Sequence, residues 1–115
     1  MRGPARKAPS AAATRRGRDE HAVFAAIAAL KNAEEAQRFL RDLMTPAEIE
    51  AFAERWRIAL LLDEGALSYR DIAAETGAST TTVARVARFL KEEPHQGYRM
   101  MIDRLRKTSP KRAEK

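Results

Sequence analysis

The stretch GASTTTVARVARFL, residues 77–90, decides the fold of this chain. It opens with a glycine and four hydroxyl residues, and Val83, Val86 and Leu90 then follow at helical spacing. Threonines are weak helix formers, because their branched side chains lose freedom and compete for backbone hydrogen bonds. Serine, in contrast, is among the preferred N-cap residues. We therefore predict that Ser79 caps a helix whose first turn is polar for a reason other than helix stability.

A short helix is predicted immediately before it, with Ser68 as its N-cap and Gly77 at its end. The spacing A-x3-G-x5-V-x2-V joins the two helices, starting at Ala73. A small residue lets two helices cross closely, and a glycine permits the positive φ of a tight turn. This spacing is typical of a helix-turn-helix, with an ordinary αα-hairpin as the structural alternative.

The remaining apolar residues also repeat at helical spacing, and no alternating strand pattern is present. From Asp19 onward we expect a helix with a stripe containing Phe24 and Ile27, and a second helix capped by Asn32. Thr45-Pro46-Ala47-Glu48 is a capping box with proline at the first position, and it predicts a third helix that ends at Gly65. A sixth helix is predicted from near Gly97. The sequence thus predicts an all-α fold of six helices.

The net charge of +6 is unevenly distributed. Residues 1–18 contain six cations and no acid, and we expect them to form a disordered basic tail. Residues 106–115 form a second basic tail with a net charge of +4, which leaves −4 for a folded domain at residues 19–105. The high isoelectric point therefore belongs to the tails, which can add sequence-independent attraction to DNA.

The composition argues against several classes of protein. The chain has no cysteine, which excludes disulfides and thiolate metal sites. No apolar run is long enough to span a membrane, so we expect a cytoplasmic protein without membrane association. Its two histidines, His21 and His95, are far apart in sequence, and we expect neither a metal site nor a cofactor. Nothing resembles an activated nucleophile or a phosphate-binding loop, so we expect no enzymatic activity.

A helix-turn-helix inserts the start of its second helix into the major groove of double-stranded DNA. Short hydroxyl side chains suit that position, since they can contact phosphates, base edges or bridging water. We expect phosphate contacts from Ser68, Arg70, Ser79 and the tails. Base-edge or water-mediated contacts are expected from Thr80, Thr81, Thr82, Ala84 and Arg85, with Arg88 on the same outward face. A solvated helix start without a ligand is the alternative.

The run LMTPAEIEAFAERWRIALLLDEGALSYRDIAAETGASTTTVARVARFL, together with HQGYRMMIDRL, resembles the tryptophan-repressor-like family, and its YerC/YecD-type branch most of all. The resemblance covers roughly residues 22–105. It implies an intertwined homodimer in which the first, second, third and sixth helices of two chains form one core. The fourth and fifth helices would contact DNA, as in a transcriptional repressor that acts by occluding its site.

The resemblance also implies a position for a ligand. In tryptophan-binding members the indole stacks between two arginines, which correspond to Arg55 and Arg85, and Thr45 matches another pocket position. Val86 and Phe89 stand where those members have glycine and serine, so we expect the pocket to be closed by their bulk. The expected function is a sequence-specific repressor without tryptophan dependence, its effector unknown. A tryptophan-responsive repressor and a helical adaptor of the transcription apparatus are the alternatives.

Overall fold

A computed structural model describes residues 11–108, with side chains from residue 14 to residue 107. All regular structure in this part of the chain is helical, as the sequence predicts. The six helices are α1 (Ala11–Ala28), α2 (Ala33–Leu43), α3 (Pro46–Glu64), α4 (Tyr69–Thr76), α5 (Thr80–Lys91) and α6 (Gly97–Thr108). No helix in the described range is long and apolar enough to cross a membrane.

The predicted helix ends are confirmed at the level of individual hydrogen bonds. The Thr45 hydroxyl accepts from the Glu48 amide at 3.1 Å, and the Glu48 carboxylate accepts from the Thr45 amide at 2.9 Å, which completes the capping box. The Asn32 side chain accepts from the Glu35 amide at 2.8 Å and caps α2. Gly65 ends α3 in the left-handed conformation, with φ at 76°. Each of these bonds satisfies a backbone group that the helix itself leaves unpaired.

The first helix begins earlier than predicted. The sequence places the start of the folded part at Asp19, whereas α1 begins at Ala11. The prediction of a disordered tail is therefore wrong for residues 11–18, while residues 1–10 lie outside the described residues. Alanine and arginine are strong helix formers, and this short segment contains three of each with no proline. Helix propensity extends the helix there without any apolar stripe.

The chain divides into two compact units, the first of which ends at Leu43. This first unit contains α1 and α2, and its apolar side chains are poorly covered within the single chain. Phe24, on the apolar stripe predicted for the first helix, is 64% exposed, and Leu43 at the end of α2 is 49% exposed. Such exposure of large apolar side chains is characteristic of a surface that meets a partner.

The second unit contains α3 to α6 and has a continuous hydrophobic core. Helices α3, α4 and α5 contact one another, and α6 packs on α3 and α5. The buried residues are Ile58, Ala59, Leu62, Ile72, Val83, Val86, Ala87, Leu90 and Ile102. Trp56 is partly buried against this core and stacks on Tyr98, with ring centroids 6.4 Å apart.

An acidic residue near the end of α3 connects that helix to α6. The Asp63 carboxylate pairs with Arg99 at 2.8 Å and with Arg106 at 2.7 Å, and its side chain is only 13% exposed. Helix α6 includes Arg106 and Lys107, so the prediction that a tail begins at residue 106 is wrong at its first positions. Residues 109–115 lie outside the described residues.

This pairing makes the stability of the second unit depend on pH. The hydrogen bond from Arg99 lowers the pKa of the Asp63 carboxyl below its usual range, and attraction to both guanidiniums acts in the same direction, against the opposing effect of burial. An unfolded aspartate titrates near pH ~3.9. Because the folded pKa is the lower one, the stabilisation is complete above that pH and is lost as the pH falls through the folded value.

We predict that Asp63→Asn lowers the free energy of unfolding at pH 7 by about 1–2 kcal/mol, since a charge-assisted contact is lost and the arginines are partly solvated. The variant should also lose less stability than the natural protein when the pH falls from 5 to 3. Urea unfolding followed by circular dichroism at fixed protein concentration measures both effects.

Asp103→Asn is the matched control. Asp103 pairs with the same Arg99 at 2.8 Å, but its side chain is 60% exposed. An exposed i,i+4 pair contributes only about 0.3–0.5 kcal/mol. Equal losses of stability in the two variants would show that the more sheltered position of Asp63 adds nothing.

Candidate nucleic-acid interface

The turn between α4 and α5 has the geometry that its glycine predicts. Gly77 has a φ of 82°, in the left-handed region, and its amide donates to the Ala73 carbonyl at 2.9 Å. The Thr76 hydroxyl donates to the Ile72 carbonyl at 2.8 Å and accepts from the Ala78 amide at 3.3 Å. The Thr76 side chain therefore links the end of α4 to the turn. The helix-turn-helix spacing in the sequence did not predict these two hydrogen bonds.

The four hydroxyl residues at the start of α5 have separate roles. The Ser79 hydroxyl accepts from the Thr82 amide at 3.1 Å, which confirms the predicted N-cap, and it donates to the Thr82 hydroxyl at 3.1 Å. Thr82 is half-buried and thereby occupied in the cap. Thr80 and Thr81 are exposed. Of the three threonines predicted to contact DNA, these two are the more available.

Helix α5 has two clearly different faces. Val83, Val86, Ala87 and Leu90 are at most 4% exposed and belong to the core. The opposite side, called here the outer face of α5, is exposed; its members are Thr80, Thr81, Ala84, Arg85 and Arg88. The division between a buried apolar stripe and an outward polar face is therefore as the sequence predicts.

The two arginines of the outer face make different contacts. The guanidinium carbon of Arg85 lies 4.5 Å from the centroid of the Phe89 ring, and that of Arg88 lies 5.1 Å from the same centroid. Arg88 also donates through Nε to Glu93 Oε2 at 3.1 Å. The i,i+4 spacing of Arg85 and Phe89 is the signal in the sequence that could have indicated their contact.

The N-terminus of α4 adds a second polar surface. The Ser68 hydroxyl accepts from the Asp71 amide at 3.0 Å, and Arg70 is exposed beside it. Tyr69, between these two predicted contacts, is 42% exposed, and Leu67 is 36% exposed. Tyr69 is not among the contacts predicted above, although an aromatic residue between two candidate phosphate contacts is a detectable signal.

The residues that correspond to the ligand pocket do not line one cavity within the single chain. A cavity of about 350 Å³ lies beside Arg85, with Phe89, His95, Gln96, Gly97 and Tyr98 as its other lining residues. Neither Thr45 nor Arg55 lines it; Arg55 lies instead over the Phe52 ring, 5.2 Å from the centroid. Of the two residues predicted to close a ligand pocket, Phe89 lines this cavity, whereas Val86 is fully buried in the core. That the two side chains close the pocket stays a prediction.

The other candidate chemistry involves the two histidines. His21 is exposed on α1, and His95 lines the cavity described above. Within the part of the chain that the structure describes, no three histidine or acidic side chains are grouped as metal ligands would be. The predicted absence of a metal site stays a prediction.

These features define a helix-turn-helix protein of the all-α class, and comparison with known proteins gives its family. The Trp repressor protein family matches residues 19–106. The chain belongs to this family, as the resemblance noted above predicts.

Individual relatives agree with this assignment. The chain is 40% identical over 100 residues to the uncharacterized protein YerC of Bacillus subtilis (strain 168), covering 87% of this chain and 94% of YerC. A solved TrpR-like protein from Eubacterium eligens ATCC 27750 superposes with a TM-score of 0.68 at 40% identity, over 74% of this chain and 86% of that one. A solved Staphylococcus aureus protein provisionally assigned as a Trp repressor superposes with a TM-score of 0.72 at 34% identity, over 85% of this chain and 96% of that one.

The cap at Ser79 can be tested by itself. We predict that Ser79→Ala lowers the free energy of unfolding by about 1 kcal/mol, because the Thr82 amide loses its acceptor. Ser79→Asp should leave stability close to that of the natural protein, since aspartate also caps and its charge suits a helix N-terminus. Urea unfolding measures both; equal losses would show that the hydroxyl-to-hydroxyl bond, and not the cap, is the important contact.

Proposed function

We propose that this protein is a homodimeric transcriptional regulator that binds specific DNA sites through α4 and α5 and represses by occlusion. The observation that carries the proposal is the outer face of α5, which presents exposed hydroxyls and cations directly opposite a fully buried stripe. A helix fixed in this way can hold a constant set of side chains against base edges.

The chemistry of this face suits DNA. Thr80 and Thr81 offer hydroxyls for phosphate or water and methyl groups for thymine, while Arg85 can donate two hydrogen bonds to one guanine. The exposed start of α5 carries partial positive charge, which favours phosphate. Phosphate contacts are assigned to Ser68, Arg70 and Ser79, and Arg88 contributes charge once it leaves Glu93. DNA-bound protein would lie at the bacterial nucleoid.

The regulator is proposed to work without tryptophan. Phe89 occupies space beside Arg85 and directs its ring at that guanidinium, where an indole would otherwise stack. The Thr45 hydroxyl already accepts the backbone bond that caps α3. The stacking position on the Arg85 guanidinium is thus taken by Phe89, and the Thr45 oxygen already accepts one hydrogen bond, which supports effector-independent binding over a tryptophan-responsive repressor.

A dimer is proposed because the single chain leaves large apolar side chains uncovered. Phe24, Ile27 and Phe52 are 64%, 42% and 52% exposed. Burying apolar area is worth about 25 cal/mol per Å², so pairing two such surfaces is strongly favourable. A two-fold dimer would also present two helix-turn-helix units, as a palindromic site requires.

We predict that Arg85→Ala and Thr81→Ala weaken binding to a duplex selected by the natural protein more than binding to random duplex. A lost base contact typically costs about 1–3 kcal/mol of discrimination. Fluorescence anisotropy across a salt titration measures both affinities. Arg104→Ala is the matched control, since it removes an equal charge from α6. Added L-tryptophan should leave every affinity unchanged.

Other outcomes would change the assignment. Equal weakening on both duplexes would make Arg85 a phosphate contact. If the protein does not bind DNA even at low salt, the helical adaptor becomes the better-supported function. The exposed apolar side chains of Leu67 and Tyr69 are the observation that favours it. A gain in affinity with tryptophan would establish the tryptophan-responsive repressor.

The dimer is tested through the exposed side of α1. We predict that the natural protein is a dimer at low micromolar concentration by light scattering, and that Phe24→Glu shifts it towards monomer. In an isolated chain this substitution would change the free energy of unfolding little, because Phe24 is mostly exposed. The neighbouring exposed position supplies the control, Ala25→Glu, which should stay dimeric. A monomeric natural protein would contradict the proposal.

A further inference from the structure

Phe89 contacts both arginines of the outer face of α5. Its side chain is half-buried, on the border between the two faces of the helix. The guanidinium carbons of Arg85 and Arg88 lie 4.5 Å and 5.1 Å from its ring centroid. The face of an aromatic ring attracts a cation at such distances through the quadrupole of its π-electrons. One ring therefore stabilises the position of two cations.

The two arginines are held in chemically different ways. Arg88 donates to Glu93 at 3.1 Å, a contact that occupies a donor and offsets its charge. Among the described residues no carboxylate pairs with Arg85, and its guanidinium lies over the Phe89 ring. A ring attracts the guanidinium without accepting its in-plane N–H groups. Arg85 is thus held while its donors and its full charge remain available.

We propose that Phe89 is a positioning residue for DNA recognition, whose ring orders Arg85 for contact with a base or phosphate. This inference rests on the proposed function. A flexible arginine loses side-chain freedom when it binds, and ordering it beforehand reduces that cost. An acidic partner would order Arg85 equally well but would repel phosphate. An aromatic partner has no such disadvantage.

Because of its position, Phe89 can be substituted without disturbing the buried core. The ring lines the cavity of about 350 Å³ beside Arg85 and does not belong to the buried core. Replacing it by leucine removes the π-electrons and keeps an apolar side chain. Replacing it by tyrosine keeps the π-electrons and adds one hydroxyl.

The experiment compares Phe89→Leu and Phe89→Tyr with the natural full-length protein on the selected and random duplexes. Phe89→Leu should weaken binding to the selected duplex by about two- to fivefold, the effect of losing one exposed cation–π contact. Phe89→Tyr should bind the selected duplex as tightly as the natural protein does. The thermal midpoint of the DNA-free protein should be slightly lower in the leucine variant, which loses the cation–π contacts, and unchanged in the tyrosine variant. The Arg85 side-chain protons should lose their ring-current shift by NMR in the leucine variant only.

Phe52→Leu is the control, because Phe52 makes the same kind of contact with Arg55 on α3. Since Phe52 also belongs to the proposed dimer surface, light scattering first establishes that this variant is dimeric. Its preference for the selected duplex over random duplex should then be unchanged. If Phe89→Leu binds like the natural protein while Arg85→Ala is weakened, the inference is wrong and the proposed function stands. If Arg85→Ala is also unaffected, the proposed function itself fails at this face. A lowered thermal midpoint that tyrosine does not restore would make Phe89 a packing residue.

Discussion

The burial of one face of α5 is the interaction on which the remaining structure depends. Val83 and Val86 are completely inaccessible and belong to one core with Ile58 of α3 and Ile72 of α4. Each fully buried aliphatic side chain contributes about 1.5–3 kcal/mol, and close-packed interiors tolerate little displacement. Because α5 cannot rotate without opening this core, the residues on its other side are held at constant positions.

The ends of the helices set how α4 and α5 meet. Gly77 turns the backbone through the left-handed region, and Ser79 closes the first turn of α5 with a side-chain acceptor. A run of threonines would weaken the middle of a helix, but at the first turn it costs less, because backbone amides there lack intrahelical partners. The polar start of α5 is thus compatible with stability and places hydroxyls where a ligand can reach them.

Arginine is used in two distinct ways in this unit. Asp63 holds Arg99 and Arg106 through hydrogen-bonded ion pairs that join α3 to α6 and neutralise charge at a sheltered position. Phe89 holds Arg85 through its ring and leaves the charge intact on an exposed surface. The first arrangement stabilises the fold. The second keeps a cation ready for an anionic partner.

Features determined by neighbouring residues could be predicted from the sequence alone. The starts of α2, α3, α4 and α5, the left-handed glycines and the two faces of α5 follow from capping and from the 3.6-residue period, which are local. The helix-turn-helix was predictable for the same reason, since its spacing spans only fourteen residues, Ala73 to Val86.

Other features were decided only by the tertiary structure. The extension of α1 back to Ala11 is an exception, since its cause is local helix propensity; it was missed because no apolar stripe marks that segment. The pairing of Arg106 with Asp63 joins residues far apart in sequence, and no spacing rule predicts it. In the sequence, Val86 and Phe89 are both bulky residues at positions of the expected pocket. Only the packing of the helices shows that their surroundings differ. Because α5 is oriented by its contacts with α3 and α4, Val86 is directed into the core and Phe89 towards the arginines.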